Sequence, residues 1–142
     1  MGAIATGGAI VFNDEVVSSL GIPRPAIDRV VERERLELTR RERDYRGNRP
    51  PPEVKGRTVI LVDDGLATGA SMHAAVEAVR ELGPAEIVVA VPAAAASTCA
   101  RLRPFVNDIV CVITPEPFYS VSAWYDDFSQ TTDEEVYSMV SQ

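Results

Sequence analysis

The sequence predicts an α/β fold: a parallel sheet with helices on both faces, an N-terminal hairpin before it and a C-terminal helix after it. Three observations carry that expectation. Short, mostly apolar runs at residues 58–62, 86–91 and 108–113 read as strands of a buried parallel sheet. Helical patterns alternate with them, the order that βαβ crossovers produce. Glycine or proline stands at most of the junctions, where elements have to stop. The whole chain, residues 1–142, is long enough for one domain with a real core and too short for two of ordinary size.

Residues 2–12 read as two short strands around Thr6-Gly7-Gly8, a hairpin. Asn13 and Asp14 open a connection in which Val16, Val17, Leu20 and Ile22 are apolar. Pro25 suits a first helical turn, so a helix is expected over about 26–45, ended by Gly47. Its stripe of Ile27, Val30, Val31 and Leu38 is partial, which implies packing on one side only. Arg49 and the prolines after it should be extended and solvated. Residues of about 40–56 form an arginine- and proline-rich segment expected to be mobile, beside a core of about 57–115.

Residues 58–62 then read as strand. A helix starts near Ala70, with Ala75, Val76, Val79 and Leu82 inward and Gly83-Pro84 as its stop. Residues 86–91 read as strand ended by Pro92, residues 93–102 as a small-residue helix, and residues 108–113 as strand ended by Pro115. The tail holds Phe118, Tyr119, Trp124, Tyr125 and Phe128, then a last helix capped by Thr132 or Asp133 with acids in its first turn.

Charge is unevenly spread. The net of −7 divides into +4 over residues 24–57 and −11 over the remainder. An acidic body argues against nucleic-acid binding, and the local basic excess suits a small polyanion such as a diphosphate. Alternating charges at residues 32–37 read as a solvated helix face. For Arg40, Arg41, Arg43, Arg46 and Arg49, a solvated face and an anion grip are both open readings. No apolar run approaches the ~20 residues of a membrane span, and no signal peptide opens the chain, so a cytoplasmic protein is expected. Cys99 and Cys111 lack metal-ligand spacing and read as reduced core residues. His73, alone in the chain, reads as a helix-surface residue.

The most informative stretch is Val-Ile-Leu-Val-Asp-Asp-Gly-Leu-Ala-Thr-Gly-Ala-Ser at residues 59–71. A strand ends in two carboxylates, Asp63 and Asp64, and a small-residue loop leads into a helix. The first N–H groups of that helix have no intrahelical partner and form an anion site. Gly69 allows close backbone approach, while Thr68 and Ser71 add hydroxyls. Carboxylates beside an anion site make sense if the ligand also carries hydroxyls or a divalent cation there. A phosphorylated sugar meets both conditions.

This stretch resembles the 5-phosphoribosyl-1-pyrophosphate (PRPP) motif of type I phosphoribosyltransferases. The resemblance implies that Asp63 and Asp64 hold the ribose hydroxyls, and that Ala67, Thr68, Gly69, Ala70 and Ser71 cradle the 5-phosphate. It implies transfer of ribose 5-phosphate to a nitrogen acceptor with release of pyrophosphate, and Mg²⁺ bound through PRPP rather than by the protein alone. It implies a small-molecule acceptor beside the tail, with Phe118, Trp124 and Tyr125 as stacking candidates. A missing upstream strand would leave an open sheet edge, so a homo-oligomer, a dimer, is expected. The alternative is a non-catalytic PRPP- or nucleotide-binding module, or a truncated fragment with little activity.

Two departures from the family pattern stand out. The upstream loop that grips pyrophosphate is not matched, since Thr6-Gly7-Gly8 follows only five residues, as in a truncated chain. Ala67 stands where 6-oxopurine enzymes place an aspartate, which argues against hypoxanthine or guanine as acceptor.

Overall fold

The computed structural model describes residues 2–5, 10–12, 14–47, 49–50 and 52–140. The chain runs β1 (Gly2–Ile4), β2 (Ile10–Phe12), α1 (Asp14–Ser19), α2 (Arg24–Arg46), β3 (Thr58–Val62), β4 (Gly65–Leu66), α3 (Ala70–Glu81), β5 (Glu86–Ala94), α4 (Ala96–Leu102), β6 (Asp108–Ile113) and α5 (Asp133–Val140). It is an α/β fold with a parallel four-strand sheet, helices flanking it, an antiparallel hairpin at the start and a helix at the end.

Strand β5 is the centre of the sheet. It pairs in parallel with β3 along Glu86–Ala90, with β4 at Ala93 and Ala94, and with β6 on its other edge. Because β3 and β4 lie along the same edge, residues 63–64 mark a break in it. Pro92, expected to end the strand, lies inside β5. No partner is paired with it: β3 stops opposite Ala90 and β4 starts opposite Ala93. A residue without an N–H is tolerated there because no ladder bond is asked of it. Helix α4 accordingly begins at Ala96 rather than at residue 93.

Alternation sorts the sheet's side chains. Ile87, Val89, Val91 and Ile109 are buried in one cluster with Met72 and Val76 of α3 and Leu102 of α4. On the opposite face Ile60, Val62, Val110 and Val112 are 62%, 74%, 52% and 79% exposed, so the strands' continuous apolar character is only half used by contacts among the described residues. Helix α3 turns Met72, Ala74 and Val76 fully inward, with Val79 half-buried. Leu82, expected inward, is exposed because the helix ends one residue earlier and Gly83 follows at φ +70°.

The hairpin pairs Gly2 with Phe12 and Ile4 with Ile10, and it packs against α3. Its expected turn at Thr6-Gly7-Gly8 lies outside the described residues. A short helix, α1, replaces the expected irregular connection after Asn13; six residues are too few to show a helical period. Helix α2 ends at Gly47 as expected, with the Gly47 N–H on the Arg43 carbonyl. It carries Arg40, Arg41, Arg43 and Arg46 in its last turns, so the first part of the arginine-rich segment is helical. Thr132 caps α5: its hydroxyl accepts the Glu135 N–H at 3.2 Å, and the Glu135 carboxylate accepts the Thr132 N–H at 2.8 Å.

Candidate functional site: an acidic pair beside a helix N-terminus

The site lies at the C-terminal end of β3, the rim where open parallel sheets bind ligands. Asp63 and Asp64 leave the strand together and are both exposed. The Asp64 N–H donates to Asp63 Oδ1 at 2.9 Å, which fixes the first carboxylate's position. Partial burial pushes the Asp63 carboxyl above its ordinary value, with the neighbouring Asp64 charge acting in the same direction.

The chain then dips into the core for two residues. Gly65 and Leu66 are buried, and β4 ties them to Ala93 and Ala94. A methyl group at Gly65 would meet Val121 Cγ1 at 2.6 Å and the Ala93 carbonyl at 2.8 Å. Glycine here therefore admits both β5 and the tail. This two-residue strand was hidden in the sequence, since two residues carry no period.

Ala67 and Thr68 return to the surface, and Gly69 reverses the chain in the left-handed region, at φ 73° and ψ 7°. Helix α3 follows directly. No side chain caps its N-terminus, and no acidic residue occupies its first turn. The positive end of its dipole is thus left facing the loop. Thr68 Oγ1 makes only a long contact, 3.5 Å, with the Ala70 N–H. The direction of Gly69 differs from the sequence expectation. An added Cβ would strike Thr98 Cγ2 at 2.6 Å, behind the loop. Glycine is required here by the backbone angle and by that neighbour.

These residues converge. Asp63, Asp64, Ala67, Thr68, Gly69, Ala70 and Ser71 line one cavity of about 230 Å³, together with Val121. A second cavity, about 540 Å³, lies on the other side of the loop between the hairpin, the start of α3 and α4, and His73, Thr98, Arg101 and Phe105 line it. His73 is half-buried rather than a surface residue, its ring 4.5 Å from that of Phe105 and its Nε2 3.8 Å from Glu77.

The aromatic tail reaches the site unevenly. Tyr125 donates its hydroxyl to the Asp64 carbonyl at 2.6 Å, and its ring lies 5.2 Å from Phe128. Phe118 stacks on Trp124 at 6.5 Å and does not line the acidic cavity. Arg40 and Arg41 bond to Glu37, and Arg40 also to Asp44 and Asp133, so these two guanidiniums have carboxylate partners. Thr98, Arg101 and Val121 were not foreseen. They lie far from the motif in sequence, and only the fold brings them to it.

One cavity thus brings together two exposed carboxylates and the uncapped N-terminus of α3. The family described as "Phosphoribosyl transferase domain" matches residues 3–118. The chain belongs to this family. The phosphoribosyl transferase relatives include a protein of Mycobacterium tuberculosis strain H37Rv named "Putative phosphoribosyl transferase", 36% identical over 99% of this chain and 32% of its own length. The orotate phosphoribosyltransferase of Streptomyces coelicolor is 35% identical over 61% of this chain and 47% of its own. The crystal structure of TT1426 from Thermus thermophilus superposes with a TM-score of 0.75 at 38% identity, covering 96% of this chain and 64% of that one. The chain thus spans about a third of the length of the first of these relatives.

Proposed function

We propose that the cavity binds PRPP, with the 5-phosphate on residues 67–71 and the ribose 2′ and 3′ hydroxyls on Asp63 and Asp64. The domain then transfers ribose 5-phosphate to a nitrogen of a small-molecule acceptor and releases pyrophosphate. One observation carries this reading: the acidic pair and the uncapped, left-handed glycine entry to α3 line the same cavity.

The chemistry asks for positioning and electrostatics. The loop N–H groups and the α3 dipole hold the phosphate, which fixes where the sugar ring lies. As the bond to pyrophosphate breaks, positive charge grows on the ring, and the two nearby carboxylates stabilise it. No nucleophile–base pair is required of the protein. Among the described residues no group of three His, Cys, Asp or Glu side chains could hold a metal ion. Two adjacent carboxylates fit Mg²⁺ bound mainly by substrate oxygens, the usual mode for that ion with phosphates. When bound, Mg²⁺ would neutralise charge on the leaving pyrophosphate.

Val121 is the tail residue that lines the cavity, Tyr125 is the aromatic one anchored beside it on the Asp64 carbonyl, and Phe118 with Trp124 would lie further out as an acceptor wall. Ala67 in place of an aspartate supports an acceptor other than a 6-oxopurine. The arginine- and proline-rich stretch of residues 40–52, helical as far as Arg46, is proposed to tighten around the pyrophosphate, with Arg49 leaving the Tyr45 and Arg46 carbonyls that it bonds in this structure. No helix among the described residues is long and apolar enough to cross a membrane, and a cytoplasmic setting is part of the proposal.

Calorimetric titration with PRPP and Mg²⁺, followed by pyrophosphate release across a panel of bases, tests the reading. Saturable PRPP binding is expected. Absence of binding to PRPP and to ribose 5-phosphate alike would overturn it.

A further inference from the structure

Helix α4 and Ala95, the residue before it, hold the proposed phosphate loop from behind, and their bonds form a pattern. Three successive carbonyls are taken up on that one side. The Leu66 carbonyl accepts the Ala95 N–H at 3.0 Å. The Ala67 carbonyl accepts the Thr98 hydroxyl at 2.6 Å. The Thr68 carbonyl accepts Arg101 Nη2 at 3.3 Å, and the same nitrogen donates to Thr98 Oγ1 at 3.0 Å.

In a trans peptide the C=O of one residue and the N–H of the next point in opposite directions. Holding the carbonyls of Leu66, Ala67 and Thr68 toward α4 therefore turns the N–H groups of Ala67, Thr68 and Gly69 away from it. Successive N–H groups facing one way form an anion-binding concavity. Ala67, Thr68 and Gly69 line a cavity with Asp63, Asp64 and Val121 that neither Thr98 nor Arg101 lines, which assigns it to the side away from α4.

Thr98 is 1% exposed and is the sole buried polar side chain among the described residues. A buried hydroxyl must find a partner, and this one is spent on a loop carbonyl. We infer that Thr98 and Arg101 are positioning residues of the phosphate loop: they hold its carbonyls back so that its N–H groups are preset for an anion before any ligand arrives. This rests on the phosphate-cradle reading above and extends it to residues outside the motif.

The test uses the 142-residue chain with two probes, inorganic phosphate and ribose 5-phosphate, and records thermal midpoints alongside. Thr98→Val keeps the shape and removes the donor, whereas Thr98→Ser keeps the donor. Thr98→Val should weaken both probes by the same factor, about five- to tenfold, the worth of one net hydrogen bond. Thr98→Ser should stay within about twofold of wild type on the same scale. Arg101 is exposed, so Arg101→Leu should fold whatever becomes of the Thr98 variants. It should weaken both probes about threefold, and still do so at high salt, where mere long-range attraction is screened.

Wild-type affinity in both Thr98→Val and Arg101→Leu, or no rescue by serine, would overturn the inference and leave the cradle reading standing. If Thr98→Val does not fold, the result for Arg101→Leu decides. A wild-type chain that binds neither probe would overturn the cradle reading itself.

Discussion

At Gly69 one methyl group is in conflict with two things at once. The backbone sits at φ +73°, where a side chain is strained, and the added carbon would press on Thr98 Cγ2 at 2.6 Å. Gly69→Ala should therefore cost roughly 1–2 kcal/mol from the backbone alone and also displace the loop. Phosphate affinity should fall more than the thermal midpoint does; a variant that binds phosphate as wild type would show that the left-handed entry is not needed. Asp63 gives a pH signature. Partial burial raises its folded-state pKa, so the fold holds that proton to higher pH than the unfolded chain does. Stability contributed by this group therefore falls as pH rises from the ordinary carboxylate value through the raised one. Ligand binding that needs the charged form moves the other way: affinity should begin to drop on acidification before an ordinary carboxylate would protonate. Asp63→Asn should lack that component in a titration of ribose 5-phosphate against pH, and an unchanged profile would count against the role.

Among the elements, the pairing of α2 with α5 depends on charge in a way that can be titrated. Side-chain hydrogen bonds from Arg40 and then Arg41 push Glu37 from 4.5 down to about 2. A depressed carboxylate contributes stability that is present above its unfolded value and lost as pH falls through the folded one. Helicity and exchange protection of α2 should thus weaken between about pH 4.5 and about pH 2. Glu37→Gln should remove most of that dependence, and equal pH dependence in the two proteins would contradict the account. Tyr45 and Arg40 both bond to Asp133 of α5, which carries the arrangement across to the last helix. The same elements show what sequence can and cannot reveal. β3, β6 and the start of α3 were legible because their signals are local: apolar runs, an acidic pair, a Gly before a helical period. The proposed ribose and phosphate residues all fall between Asp63 and Ser71, so one motif exposed them together. β4, the passage of β5 through Pro92, and the Thr98–Arg101 support were not legible, because each exists only through a partner far away along the chain.

For the whole molecule, the uneven use of the sheet has a consequence. Ile60, Val62, Val110 and Val112 present an apolar face, and β3 and β6 each pair only with β5 among the described residues. Exposed apolar surface and unpaired edges favour association. The 142-residue chain is expected to sediment as a dimer or larger, and Val62→Lys with Val112→Lys should shift it toward monomer; a monomeric wild type would contradict this. The same topology puts the acidic pair and the proposed phosphate loop at the end of one strand, as the proposed binding of a sugar phosphate requires. The most direct measurement of that claim compares ribose 5-phosphate with inorganic phosphate on the wild-type chain and on Asp63→Asn/Asp64→Asn. Each charge-assisted hydrogen bond to a ribose hydroxyl is worth roughly 1.5–3 kcal/mol. The double variant should therefore lose ribose 5-phosphate affinity by at least about tenfold while holding inorganic phosphate as well as wild type or better. Equal losses for the two ligands, or none for either, would contradict the account.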